Sequence, residues 1–87
     1  MTSINSILIA DDHVLIRKGL IQSLSIITDA QIIEADSGKD ALKKVEEYKP
    51  ELAILDIEMP ELSGYEAAKK LMENGFSGEI IFLTMYK

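Results

Sequence analysis

The sequence predicts an α/β layered domain on a parallel sheet, and two observations carry that expectation. Four short apolar runs are continuous rather than alternating, as suits strands covered on both faces. The segments between them space their apolar residues at helical intervals. Strand and helix therefore alternate from the first run to the last, which implies right-handed crossovers and a layered α/β architecture.

Each element has its own support. Ile7-Leu8-Ile9-Ala10 forms the first strand, followed by a helical stripe of Ile16, Leu20, Leu24 and Ile27. Ile32-Ile33 marks the second strand. Ser37 is placed to cap a helix beginning near Lys39, with Asp40 favourably in its first turn. That helix carries Ala41, Leu42, Val45 and Tyr48, and Pro50 closes it and turns the chain into the third strand, Leu52-Ala53-Ile54-Leu55. Met59-Pro60 and Gly64 shape a loop and start the third helix, whose stripe is Tyr65, Ala68, Leu71 and Met72. Gly75 is placed to end it in a left-handed cap, and Ile80-Ile81-Phe82-Leu83 is the fourth strand. Tyr48 and Tyr65 read as packing residues, and Lys39, Lys43 and Lys44 as a solvated helix face. There is no repeat, linker or low-complexity stretch.

Eighty-seven residues make one domain at most. A chain of this size buries only roughly 60–65% of the surface its unfolded form exposes, so its stability margin is thin. The apolar share of 47% and charged share of 28% belong to a globular domain rather than a disordered segment. No cysteine is present, which excludes disulfides and thiolate metal sites. The first ten residues lack the basic character of a signal peptide, and no apolar run approaches the roughly 18 residues of a membrane span. The expectation is a soluble, cytoplasmic protein with no membrane partner. The formal charge of −6, from 15 acidic and 9 basic residues, makes this segment a poor ligand for nucleic acid.

The chemistry-bearing feature is where the acids fall. Asp11 and Asp12 directly follow the first apolar run, and Asp56 follows the third. Open α/β sheets bind ligands outside the carboxyl ends of their strands, where the strand order reverses. If strands one and three are neighbours, at ~4.8 Å spacing, the three carboxylates converge. Like charges so close raise one another's pKa unless a cation neutralises them. Oxygen-only ligands in a shallow, partly hydrated site suit a hard ion such as Mg²⁺. The bland alternative is three acids that simply solvate strand ends.

Four features together resemble the receiver domain of two-component response regulators. They are Ile9-Ala10-Asp11-Asp12-His13, Leu55-Asp56-Ile57-Glu58-Met59-Pro60, Gly64 eight residues after Asp56, and Leu83-Thr84. The resemblance covers the whole chain and implies a flavodoxin-like doubly wound parallel sheet of strand order 2-1-3-4-5. It implies that Asp56 is the phosphoacceptor and also a ligand of Mg²⁺ or Mn²⁺, with Asp12 a direct ligand and Asp11 its companion. The backbone carbonyl of Glu58 matches a further metal ligand, and Thr84 the hydroxyl that binds the phosphate. It implies a sensor histidine kinase or phosphotransfer protein as partner, and a signalling domain rather than a turnover enzyme. His13 reads as a loop residue beside the site. With Arg17-Lys18-Gly19 and Leu83-Thr84-Met85-Tyr86, it resembles the subfamily whose output is a helix-turn-helix DNA-binding domain.

A full receiver has five strands and five helices. Residues 1–87 read as a partial receiver of four strands and three helices, without the fifth strand or the last two helices. No residue matches the family's phosphate-contacting lysine, and Lys87 is misplaced for that role. Two alternatives follow: a phosphorylation-impaired fragment acting in interaction or oligomerisation, and, more remotely, an aspartyl-phosphate phosphohydrolase using Asp56-Ile57-Glu58. Nothing in Ile80–Leu83 interrupts an exposed strand edge, so a homo-oligomer joined through strand four is expected.

Overall fold

The computed structural model describes residues 4–84, with Met85, Tyr86 and Lys87 outside the described residues. Four strands and three helices alternate along them: β1 (Ser6–Ala10), α1 (Val14–Ile27), β2 (Gln31–Ala35), α2 (Gly38–Tyr48), β3 (Leu52–Asp56), α3 (Gly64–Glu73) and β4 (Glu79–Leu83). The strands form one parallel sheet of order β2-β1-β3-β4. Each of the four apolar runs lies in a strand, and the alternation of elements is as expected.

In-register partners share a face of the sheet, and two cores result. Leu8, Ala10, Ile33, Ala35, Ala53 and Leu55 pack beneath α2 and α3, which contribute Ala41, Val45, Ala67, Ala68 and Leu71. On the other face Ile7, Ile9 and Leu52 meet Leu20, Ile21 and Leu24 of α1. The two faces are unequal: α2 and α3 bury several residues each, whereas α1 buries none completely.

The helical stripes differ from expectation at their margins. Ile27 is 77% exposed, Tyr65 58% and Met72 68%, and Tyr48 is also exposed, so none of the four is a packing anchor. The buried face of α3 is centred instead on Ala67, Ala68 and Leu71, and that of α1 on Leu20, Ile21 and Leu24. Small alanines let α3 sit close to the sheet, which turns the bulkier Tyr65 and Met72 outward. Tyr65 does make one contact, a tilted stack on Phe82 of β4 with ring centroids 4.8 Å apart.

Caps fall where local chemistry places them. The Ser37 hydroxyl accepts from the Asp40 N–H at 3.0 Å. Lys49 closes α2 in the left-handed region, at φ 49°, just before Pro50. Gly75 follows α3 at φ 86°, the positive angle that favours glycine. At the start of α3, Ser63 and Glu66 form a reciprocal capping box, with each side chain accepting from the other's backbone N–H. Among the described residues no helix is long and apolar enough to cross a membrane.

Candidate functional site

The sheet order decides where the acids meet. β1 leads through α1 to β2 on one side, while β3 lies on the other, so the order in which strands are added reverses at β1 and β3. Ala10 pairs with Leu55, and the next residues, Asp11 and Asp56, therefore emerge side by side. Both are buried, at 0% and 3% exposure.

Asp11 is held on every side but one. Its N–H donates to the Ala35 carbonyl at 3.1 Å, extending the β1–β2 ladder by a rung. Its carbonyl accepts from the Arg17 guanidinium at 2.6 Å, and its Oδ1 accepts from the His13 N–H at 2.8 Å. That last bond is an Asp-type turn that leads the chain into α1. His13 is the N-cap of α1 without capping it through its side chain. The ring turns back into the acids instead, with Nδ1 3.0 Å from Asp11 Oδ1, 3.1 Å from Asp12 Oδ1 and 3.8 Å from Asp56 Oδ2.

Asp56 Oδ1 accepts from the Glu58 N–H at 3.3 Å. The following peptide is fixed on both sides, because Ile57 donates to the Leu83 carbonyl at 3.2 Å and accepts from the Gly64 N–H at 2.9 Å. A Cβ at Gly64 would overlap the Asp56 carbonyl, so only glycine lets α3 start this close to the strand end.

The electrostatics are unbalanced. Burial is the main force pushing the Asp56 carboxyl above its usual range, and the negative charges of Asp11 and Asp12 add to it. The Glu58 N–H offsets part of that rise. Asp11 Oδ2, Asp12 Oδ1 and Asp56 Oδ2 are buried without a hydrogen-bond partner. Asp11, Asp12, His13 and Asp56 each offer a ligand atom, all within 4.8 Å of one another. Three buried anionic oxygens without partners are costly unless a cation meets them. The donor set fits a hard divalent ion, with oxygens in the majority and no thiolate. His13, when its Nδ1–H donates to Asp11, is spoken for at that nitrogen and lends a positive edge rather than a ligand.

The structure places each residue anticipated for the site at the carboxyl ends of the strands or in the loops that follow them. Asp11, Asp12 and Asp56 converge as expected. Glu58 has an exposed side chain and meets Asp56 through its backbone N–H. Thr84 is exposed, one residue beyond β4, whose last residue Leu83 pairs with Asp56. His13 was read as a neighbour and belongs to the cluster itself. Arg17 was not anticipated as part of the site; its signal is its place one helical turn after Asp12-His13. Lys44, read as solvated, donates to the Glu34 carbonyl at 2.7 Å, a tertiary contact that no local pattern announces.

Comparison with known proteins bears directly on this geometry. The family model of the response regulator receiver domain matches residues 7–87. The chain belongs to that family. The receiver is 35% identical over 81 residues to the nitrate/nitrite response regulator protein NarL of Escherichia coli, covering 92% of this chain and 38% of that protein. Among solved structures it resembles a DNA-binding response regulator of the LuxR family from Staphylococcus aureus, with TM-score 0.86 and 34% identity over 95% of this chain and 70% of the other. It also resembles the response regulator TrrA of Thermotoga maritima, solved in complex with Mg²⁺-BeF, with TM-score 0.87 and 38% identity over 95% and 71% of the two chains. The receiver therefore spans less than two fifths of the NarL sequence. It is a flavodoxin-like signalling domain, and its relatives include regulators with DNA-binding outputs.

Proposed function

We propose that this receiver is a phosphoacceptor module in which Asp56 takes a phosphoryl group from the phosphohistidine of a sensor kinase or phosphotransfer protein, to control transcription. The observation that carries the reading is the trio of buried, partnerless oxygens on Asp11, Asp12 and Asp56 at the reversal point of the sheet. In the transfer, one Asp56 oxygen attacks phosphorus, the P–N bond of the donor breaks, and the imidazole leaves with its electron pair.

The chain's own groups prepare that step. The Glu58 N–H fixes Asp56 Oδ1 and leaves Oδ2 free to face the incoming group. Asp11, Asp12 and Asp56, with the Glu58 backbone carbonyl, would hold Mg²⁺ or Mn²⁺, and Thr84 would donate its hydroxyl to the phosphoryl oxygens. The bound ion supplies positive charge against the carboxylates and the transferring phosphoryl group. Asp56 reacts as the carboxylate, so its raised pKa is a handicap that cation binding relieves.

Mass spectrometry after incubation with Mg²⁺ and a small acyl phosphate tests the reading. One acid- and base-labile phosphoryl adduct on Asp56, absent in Asp56→Ala, is expected. An adduct that survives in Asp56→Ala overturns the assignment.

One observation favours a second, compatible role in association. β4 lies at the edge of the described sheet, where Ile81 is 51% and Phe82 38% exposed. A free strand edge with apolar side chains is a template for another chain. Light scattering across a concentration series should show a homo-oligomer that Ile81→Lys disperses, while Phe82 stays stacked on Tyr65. A monomer at all concentrations removes this role. The phosphohydrolase alternative needs the Glu58 carboxylate at Asp56, and the bond between these residues is made by the backbone instead.

A further inference from the structure

Arg17 lies in the first turn of α1, yet its side chain is only 12% exposed. Its Nε donates to Glu34 Oε1 of β2 at 2.8 Å, and its terminal nitrogen donates to the Asp11 carbonyl at 2.6 Å. One planar fork thus spans the end of β1, the start of α1 and the neighbouring strand β2. Glu34 is in turn held by Lys18, at 3.0 Å from Oε2.

The peptide that Arg17 grips joins Asp11 to Asp12, the two residues proposed above as ion ligands. Rotation of that peptide would swing both carboxylates. Asp11 Oδ1 is already bound by His13, so the direction of its free Oδ2 follows the backbone. An arginine is poorly placed to serve here as charge alone. A cation a few ångströms from a cation site opposes metal binding by Coulomb repulsion. Its half-dry position is explained by geometry, since a rigid fork bonds two acceptors at fixed angles as lysine cannot.

We propose that Arg17 is a positioning residue, locking the Asp11–Asp12 peptide to Glu34 so that both carboxylates face one ion. The proposal rests on the phosphoacceptor reading of the site. Groups that orient metal ligands from behind typically contribute about 10–100-fold in metal affinity.

The test is Mn²⁺ affinity of the full chain, read by water proton relaxation well below the melting temperature, with fold checked by circular dichroism. Arg17→Gln should weaken binding about ten-fold, although removal of a positive charge would by electrostatics tighten it. Arg17→Lys keeps the charge and loses the fork, and should also weaken binding several-fold. Lys18→Gln removes an equal charge from the same Glu34 without touching the Asp11 carbonyl, and should leave affinity unchanged or slightly higher. Equal or tighter binding in Arg17→Gln overturns the proposal. Should that variant not fold, wild-type affinity in Arg17→Lys overturns it instead. Wild-type protein that binds no Mn²⁺ defeats the site itself and this role with it; wild-type binding that both Arg17 variants preserve defeats the Arg17 assignment alone.

Discussion

At the scale of single residues, Asp56, the proposed phosphoacceptor, carries a stability cost. Its native pKa lies above the ordinary value of 3.8, so between the two the native state holds more protons than the unfolded one. Stability from this group therefore falls as pH rises through that window and stays reduced above it. In metal-free buffer at pH 7, Asp56→Asn should be more stable than wild type, with the difference shrinking as pH falls toward 3.8. Urea melts in the presence of a chelator measure this, and a difference independent of pH would show that burial of the charge is not its source. Glycines give a contrasting pair. Gly64→Ala forces a methyl into the Asp56 carbonyl and should destabilise by about 1–3 kcal/mol. Gly19 lies within α1 with nothing near its missing Cβ, so Gly19→Ala should stabilise by about 0.5–1 kcal/mol. Asp11, Asp12 and Asp56 were legible in the sequence because an acid just past an apolar strand can only emerge at the sheet's carboxyl edge. His13 and Arg17 were not, because their roles depend on side-chain directions that the turn into α1 sets.

At the scale of elements, the Ser37 and Gly75 caps fall where the sequence places them, and the structure adds a box at Ser63. The Ser63 hydroxyl accepts the Glu66 N–H at 3.2 Å, and Ser63→Ala should lose about 1 kcal/mol. For a domain this small that shifts the melting temperature down by about 4–8 °C, as calorimetry would show. The signature Ser-x-x-Glu stands in the sequence at Ser63-Gly64-Tyr65-Glu66, so this box is written in local chemistry. The tie between α1 and β2 has its own pH signature. Arg17, then Lys18, hold Glu34 below its ordinary value of 4.5. The stability it contributes is present above pH 4.5 and is lost as pH falls through the lower native value. Glu34→Gln should therefore flatten the acid limb of the stability curve. What periodicity misjudged was the margin of each stripe. A helical repeat identifies an apolar face, but which part of it is buried depends on the width of what lies opposite. Ile27, Tyr65 and Met72 continue the repeat past that width.

At the scale of the whole molecule, the proposed ion is a stabiliser as well as a cofactor. Mg²⁺ at about 100 times its dissociation constant should add ~2.7 kcal/mol to the folded state. Thermal melts should show that gain in wild type and its loss in Asp12→Asn; an equal gain in both would place the ion elsewhere. The alternation of elements, the parallel sheet and the converging acids all followed from local patterns in the sequence. The inequality of its two faces did not, since it depends on how far α1 reaches across strands that are distant in sequence. The central place of β1 has a consequence in time. β1 is made first, and it pairs with β2 on one side and with β3 on the other, through Ile7 with Leu52 and Ala10 with Leu55. A nascent chain lengthens by about 5–20 residues per second, so for several seconds the finished first strand has no second neighbour to close on. The sheet's middle becomes dry only when the segment ending in Asp56 arrives. The proposed acceptor aspartate and the strand that anchors its companions thus join the fold in one event, and slow codons between Ala35 and Leu52 would prolong the chain's most vulnerable interval.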